Sequence, residues 1–131
     1  MRRFLLDTSA VIKWTAGTVP HRVKRQLVKP SSTLLVSILT PWEIVIRPAF
    51  QKLNFSHAQV LEILFNDLGA EILPVQLNHL AKLREMPFFP DHTEAFDRLI
   101  LAQAMTEDLI LVGSDQRFPQ YKKHGLKLLW D

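Results

Sequence analysis

Two aspartates lie beside apolar segments, where a carboxylate is unusual unless it has a partner. Asp97 lies early in residues 96–104, in which apolar side chains recur at the spacing of a helix. Asp115 follows residues 109–112, a short apolar run typical of a strand that is covered on both faces. A carboxylate is seldom buried unless it is paired or bound to a metal. A metal ligand is therefore one interpretation of Asp97.

The competing interpretation of Asp97 is a surface ion pair. Its neighbour Arg98 is the nearest cation in sequence, but adjacent residues of a helix point about 100° apart. Arg98 is better placed for Glu94, four residues earlier. The geometry is therefore poor for an Asp97–Arg98 pair, but on this segment alone a metal ligand is the less favoured interpretation of Asp97.

Two further acids also allow two interpretations. Asp7 follows the apolar residues 4–6 and precedes a helix, so it is either a helix N-cap or a ligand at the end of a strand. Glu43 belongs to a Thr40-Pro41-Trp42-Glu43 sequence, which is typical of a capping box with Thr40 as the N-cap. A metal-bound Glu43 would still lie at the start of a helix, near the edge of a sheet.

Strands and helices alternate along the whole chain. Strands are predicted at residues 4–6, 34–36, 70–73, 109–112 and 126–129. Between them the sequence predicts helices that begin at residues 10, 40 and 96, and helices over residues 21–29 and 76–85. The helix from residue 40 bends at Pro48 before residues 49–53. A further helix runs from a Ser56 capping box to Gly69, and a short helical turn is predicted at residues 118–121. This alternation predicts a three-layer α/β/α fold with a parallel five-stranded sheet.

The predicted topology brings the acids together. If the strand order reverses between the first and fourth strands, Asp7, Glu43, Asp97 and Asp115 meet in one crevice at the carboxyl edge of the sheet. Two carboxylates about 4 Å apart repel by about 4 kcal/mol at an effective dielectric constant near 20. A divalent cation removes this repulsion, and oxygen ligands suit Mg²⁺ or Mn²⁺. Such a site is suited to hydrolysis of a phosphodiester.

Composition limits the other possibilities. A length of 131 residues and 47% apolar content predict a single domain over residues 1–131. The absence of cysteine excludes disulfide scaffolds, thiolate zinc sites and cysteine nucleophiles. Asp7 interrupts the first apolar run before a signal peptide is complete, and no stretch approaches a membrane span, so we expect a cytoplasmic protein without membrane contact.

The net charge of +3 is compatible with a polyanionic partner but does not require one. Basic residues form two groups, one at residues 21–25 with Lys29, the other made of Arg117, Lys122, Lys123, His124 and Lys127. Each group is either a solvated helix face or a set of phosphate contacts.

Several polar and aromatic side chains flank the candidate acids. Ser9 and Ser114 either orient carboxylates or serve as caps and turn formers. His92 is expected in a solvent-exposed loop, with RNA contact as the alternative. Base stacking is possible for the tryptophans, but Trp42 and Trp130 are expected in the core.

Four segments, in order, resemble the PIN-domain ribonucleases, especially the VapC-type toxins of bacterial toxin–antitoxin pairs. They are Leu5-Leu6-Asp7-Thr8-Ser9-Ala10, Trp42-Glu43-Ile44, residues 96–104 and Leu111-Val112-Gly113-Ser114-Asp115. One motif alone is weak, but four in register with the element order are specific.

The resemblance implies that Asp7, Glu43 and Asp97 are metal ligands and that Asp115 completes the site, by holding a second ion or orienting the attacking water. It also implies a Mg²⁺- or Mn²⁺-dependent endoribonuclease, commonly a homodimer, inhibited by a cognate small antitoxin that inserts near the site. Family members often read His-x-Asp-Pro-Phe-Asp-Arg, where this chain has Glu94-Ala95 in place of Asp-Pro. This departure concerns the loop before Asp97.

Three rival functions share parts of this pattern. A catalytically inactive PIN-like module that binds protein or RNA would not need all four acids. A phosphoacceptor signalling domain would require adjacent acids after the first strand and an Asp after the third, where Leu73-Pro74 stands. A DNA-directed nuclease is chemically possible, because nothing in the sequence recognises a 2′-hydroxyl.

Overall fold

Five parallel strands form the centre of the computed structural model, which describes residues 2–47 and 56–130. In chain order the strands are β1 (Arg2–Leu6), β2 (Ser32–Ser37), β3 (Glu71–Leu73), β4 (Ile110–Val112) and β5 (Lys127–Leu129). Their order in the sheet is β3-β2-β1-β4-β5, and each neighbouring pair is parallel. The predicted reversal of strand order between β1 and β4 is confirmed.

Helices cover both faces of this sheet. The α-helices are α1 (Thr8–Ala16), α2 (His21–Leu27), α3 (Leu39–Ile46), α4 (His57–Glu62), α5 (Leu77–Glu85) and α6 (Ala95–Thr106). A π-helical turn continues α4 over Ile63–Asp67, and a 3₁₀ helix spans Phe118–His124. The predicted helical segment 49–53 lies outside the described residues. Among the helices that the structure describes, none is long and apolar enough to cross a membrane.

Alternation along β1 explains the two cores. Leu5 points to one face of the sheet and packs with residues of α6 and the 3₁₀ helix. Phe4 and Leu6 point to the other face and pack with residues of α1, α2, α3 and α4. All three side chains are fully buried or nearly so, and each such burial stabilises the fold by about 1.5–3 kcal/mol. The predicted three-layer α/β/α fold is therefore confirmed.

The predicted capping box at Ser56 is confirmed. Ser56 Oγ accepts a hydrogen bond from Gln59 N at 3.2 Å, and Gln59 Oε1 accepts one from Ser56 N at 2.6 Å. These two bonds satisfy backbone donors that the first turn of α4 would otherwise leave unpaired.

The predicted capping box at Thr40 is wrong. The helix α3 begins at Leu39, so Thr40 lies inside its first turn and not at the N-cap. Ser37 Oγ accepts the hydrogen bond from Leu39 N at 3.1 Å, and Thr40 Oγ1 pairs with Thr8 Oγ1 at 3.0 Å. Because β2 runs into α3 with almost no loop, a residue at the end of the strand takes the capping role. Glu43 is therefore not a capping-box acid.

Candidate active site

Neighbouring strands at the centre of the sheet bring Asp7 close to the segment that leads to Asp115. Leu6 pairs with Val112, and Asp7 N donates a hydrogen bond to Val112 O at 2.9 Å. Gly113 follows directly, and a Cβ added there would lie 2.8 Å from the Asp7 carboxyl group. Only glycine leaves room for the backbone at position 113 to lie this close to the Asp7 carboxylate. The site lies where the strand order reverses, the usual position of a ligand crevice in such sheets.

A pocket of about 370 Å³ opens at this edge of the sheet. All four predicted acids line it, namely Asp7, Glu43, Asp97 and Asp115. The polar side chains of Thr8, Ser9, Lys13 and Ser114 complete the polar part of its wall. The structure thus brings the four acids together, while their role as metal ligands stays a prediction.

Asp7 caps α1 and faces the pocket at the same time. Its Oδ1 accepts a hydrogen bond from Ala10 N at 2.8 Å, and Ser9 Oγ lies 2.8 and 3.0 Å from its two carboxylate oxygens. Asp7 is only 4% exposed, and burial raises its pKa to about 7 despite these hydrogen bonds. The charges of Asp97 and Asp115 raise the pKa further. A bound cation would favour the ionised form of this carboxylate.

Glu43 extends from the middle of α3 and is also 4% exposed. Burial raises the pKa of Glu43, while Thr8 and Arg47 partly offset the effect. Arg47 Nε lies 2.9 Å from Glu43 Oε2. The second carboxylate oxygen, Oε1, is buried and has no hydrogen-bond partner among the described residues. An unpartnered buried carboxylate oxygen is a position where a cation fits.

Asp97 lies in the first turn of α6. Its backbone N donates a hydrogen bond to Glu94 Oε2 at 3.0 Å, which makes Glu94 the N-cap. Burial raises the pKa of Asp97, the charge of Glu94 raises it further, and His92 and Arg117 act in the opposite direction. Several carboxylates in one partly buried site therefore disfavour the ionised form of this acid, and a bound cation would favour it.

The predicted ion pair between Glu94 and Arg98 is wrong. Glu94 is the N-cap of α6, and Arg47, the residue directly after α3, pairs with it. Arg98 donates instead to Pro87 O at 3.3 Å and lies over the Phe88 ring. The ion pair that helical spacing favours does not form, because Glu94 caps α6 and pairs with Arg47.

Asp115 is held by a residue of the second basic group. Arg117 Nε donates to Asp115 Oδ1 at 2.9 Å, and Arg117 Nη2 donates to Oδ2 at 2.6 Å. This pairing lowers the pKa of Asp115. Arg117 is therefore paired with one of the candidate acids and is not simply part of a solvated helix face.

The expectation of a solvent-exposed His92 is wrong. The residue is completely buried, with Nδ1 2.7 Å from Tyr121 Oη and Nε2 3.7 Å from Asp97 Oδ2. Its loop turns inward at the bridge between Phe89 and His92, so that the imidazole packs against Phe118 and Tyr121. The position of His92 in the family-like segment before Asp97 was the one sequence signal for this placement.

The expectation of a core position for Trp42 is also wrong. Trp42 is 56% exposed, with its ring edge-to-face against Phe96 at 6.0 Å. It lies on the side of α3 that faces away from the sheet. Trp130 is half-buried and packs against the core, as Trp14 does.

Two groups of potential ligand atoms share Asp97. Glu43, Glu94 and Asp97 form one group, and His92, Asp97 and Asp115 form the other, each with ligand atoms within 4.8 Å of one another. Glu94 and His92 were not among the predicted ligands. Asp7 belongs to neither group. The oxygen-rich donor set and the unpartnered Glu43 Oε1 fit a divalent cation.

Comparison with protein families gives one match, to the family model described as the PIN domain, over residues 4–124. A comparison with curated proteins found no similar sequence.

Solved structures with a similar fold include three toxin–antitoxin complexes. A VapBC2 structure from Rickettsia felis, bound to a DNA fragment from its promoter, has a TM-score of 0.70 and 16% identity, with 98% of this chain and 99% of that chain covered. A DNA-bound VapBC from Salmonella typhimurium has a TM-score of 0.68 and 17% identity, with 98% of both chains covered. VapBC-5 from Mycobacterium tuberculosis has a TM-score of 0.67 and 17% identity over 100% of both chains.

Proposed function

Because this chain belongs to the PIN domain family, we propose that it is a metal-dependent endoribonuclease and the toxin of a toxin–antitoxin pair. The observation that carries the proposal is the pocket lined by Asp7, Glu43, Asp97 and Asp115. Binding alone does not require four carboxylates in one place, since their mutual repulsion is unfavourable. Metal-assisted hydrolysis of a phosphodiester does require such a cluster.

In this proposal the same four carboxylates hold Mg²⁺ or Mn²⁺. An ion held by these residues would supply a water of lowered pKa and positive charge beside the phosphoryl group. Asp7 is fixed for this task by Ser9 and by the first turn of α1. In the metal-free protein Arg47 pairs with Glu43 and Arg117 pairs with Asp115.

The chain also offers a cation for the substrate. Lys13 lines the pocket beside the acids, one helical turn or more along α1 from Asp7. Its ammonium group is suited to contact a backbone phosphate of RNA, which is the contact that positions a nucleic acid without reading its sequence.

Cleavage of matched substrates tests the proposal. A labelled single-stranded RNA and a DNA of the same sequence are incubated with the protein in Mg²⁺, in Mn²⁺ and in excess EDTA. We expect cleavage of the RNA only, and only with a divalent cation. Undiminished cleavage in EDTA would contradict the metal role, cleavage of both substrates would contradict RNA specificity, and binding of intact RNA would favour the inactive module.

The proposed partner is a small antitoxin that covers the acidic pocket. The solved structures of similar fold are VapBC complexes, which supports a protein partner of this kind. A basic side chain, arginine above all, would satisfy the four carboxylates in place of the metal, because a guanidinium pairs with carboxylates bidentately. A cytoplasmic location, where RNA and antitoxin occur together, belongs to the same proposal.

We further propose a homodimer. An apolar groove lined by Ile38, Pro41, Trp42 and Val45 lies on the outer side of α3. Large exposed apolar side chains of this kind are typical of an interface between protein chains. Light scattering measures the oligomeric state. The wild-type protein should be a dimer, and Ile38→Glu should convert it to a monomer. A monomeric wild-type protein would contradict the proposal.

A further inference from the structure

His92 is a buried side chain whose Nε2 makes no hydrogen bond within the described part of the chain. Its exposed fraction is 0%. The nitrogen lies 3.7 Å from Asp97 Oδ2, and it belongs to one group of potential ligand atoms with Asp97 and Asp115. Leaving a buried polar atom unpaired is unfavourable, so this orientation needs an explanation.

The distance between these two atoms is too long for a hydrogen bond. At 3.7 Å the separation exceeds the normal range of N–H···O contacts. Two adjacent ligands of one octahedral ion, each about 2.1 Å from it, lie roughly 3 Å apart, so an ion bound between the two side chains would draw these atoms closer together. Asp115 supplies a third ligand atom, and the three atoms lie within 4.8 Å of one another.

The other side of the imidazole is built to hold it in this orientation. Nδ1 lies 2.7 Å from Tyr121 Oη, and the rings of Phe118 and Tyr121 pack edge-on against it at 5.8 and 5.4 Å. When Nδ1–H donates to the tyrosine oxygen, Nε2 carries its lone pair toward the pocket. A metal-binding histidine is commonly oriented by a hydrogen bond from its second nitrogen.

We infer that His92 Nε2, Asp97 and Asp115 form a mixed nitrogen and oxygen site for a divalent cation of the Mn²⁺ class. Imidazole suits transition metals, whereas Mg²⁺ prefers oxygen ligands only. The site therefore selects Mn²⁺ over Mg²⁺ more strongly than carboxylates alone would. Arg117 is paired with Asp115 but its side chain is 42% exposed, so it can turn toward solvent when the ion binds. The inference rests on the proposed metal-dependent function and deepens it by naming a ligand.

Pulsed electron paramagnetic resonance of Mn²⁺ bound to the full chain, without RNA, tests this inference. A directly bound imidazole produces ¹⁴N modulations, and these should change when the protein contains ¹⁵N-labelled histidine. The wild-type protein suffices for this measurement, so it does not depend on whether a variant folds. His92→Gln should then remove the nitrogen signal and weaken Mn²⁺ binding by at least about tenfold, with a smaller effect on Mg²⁺.

His124→Gln is the matched control, because His124 is exposed on the neighbouring 3₁₀ helix. It should keep both the nitrogen signal and the Mn²⁺ affinity. Mn²⁺ bound with oxygen ligands alone, or a nitrogen signal that survives in His92→Gln, would overturn the inference and leave the proposed nuclease function intact. Failure of the wild-type protein to bind Mn²⁺ at all would overturn both.

Discussion

Arg47 lies one helical turn after Glu43, and its Nε is 2.9 Å from Glu43 Oε2. The same guanidinium pairs with Glu94 on the other side. Arg47 thus places a positive charge between two acids that belong to one of the groups of potential ligands. In the metal-free protein it reduces the repulsion that a divalent cation would otherwise have to relieve.

Replacing this arginine should therefore make the protein more dependent on metal. Arg47→Gln should lower the melting temperature of the metal-free protein, because Glu43 keeps its burial and loses its cation. Added Mg²⁺ should raise the melting temperature of the variant more than that of the wild type. Thermal melts with and without Mg²⁺ measure both effects. Arg25→Gln is the control, since Arg25 is exposed on α2, and an equal response to Mg²⁺ in all three proteins would contradict the account.

The raised pKa of Asp7 predicts a pH dependence of stability. The folded state holds the proton up to a pKa of about 7, compared with an ordinary value of 3.8. The folded state thus binds more protons than the unfolded state between these values, so the free energy of unfolding of the metal-free protein falls as the pH rises from about 4 to 7. The loss from this one group is about 4 kcal/mol at most.

Asp7→Asn should flatten this part of the pH profile, because asparagine can still cap α1 but carries no charge. Chemical denaturation of both proteins at several pH values, in EDTA, measures the difference. The variant should be the more stable protein above pH 7, and saturating Mg²⁺ should remove its advantage. Parallel profiles for the two proteins would show that Asp7 does not titrate in this range.

Replacement of Glu43 distinguishes a role as metal ligand from a purely structural role. Glu43→Gln should lower the rate of RNA cleavage by about 100-fold or more, because one ligand oxygen loses its charge. Stability should change little, since Arg47 still has Glu94 as a partner. Single-turnover cleavage and thermal melting, measured in parallel, check this. Glu62→Gln on the exposed side of α4 is the control, and cleavage at the wild-type rate by Glu43→Gln would remove Glu43 from the proposed ligands.

An antitoxin that presents arginine to the pocket should compete with the metal. Its affinity should fall as Mg²⁺ rises, more than it falls with NaCl of equal ionic strength, because ion and guanidinium use the same carboxylate oxygens. Calorimetric titration with the proposed small antitoxin measures the effect. Expression of the chain alone should arrest growth, and co-expression of that protein should restore it. Equal affinities in Mg²⁺ and in NaCl would contradict the shared site.

Alternation of apolar runs and helix signals was sufficient to predict the sheet and the meeting of the four acids. Strand ends are local in sequence, and parallel topology then brings them to one edge. Thr40 shows where local signals failed, since its capping box was displaced when α3 began directly at the end of β2.

Glu94 and His92 show the second limit of the sequence. Glu94 could be paired with Arg98 by helical spacing, but its partner Arg47 is 47 residues away in the chain. His92 lies in an irregular loop, and its burial depends on Tyr121, which is 29 residues away. Contacts of this range have no local periodicity, so they follow only from the folded arrangement.

Cleavage of RNA by Asp97→Asn, with thermal melts alongside, tests the central claim most directly. Asp97 belongs to both groups of potential ligands, so its charge is the one that every version of the metal site needs. We predict that the variant loses Mg²⁺-dependent cleavage while its melting temperature in EDTA is unchanged or higher, because removing one of several close charges relieves repulsion. Full cleavage activity in a folded Asp97→Asn protein would contradict the account, as would loss of activity that is accompanied by loss of the fold.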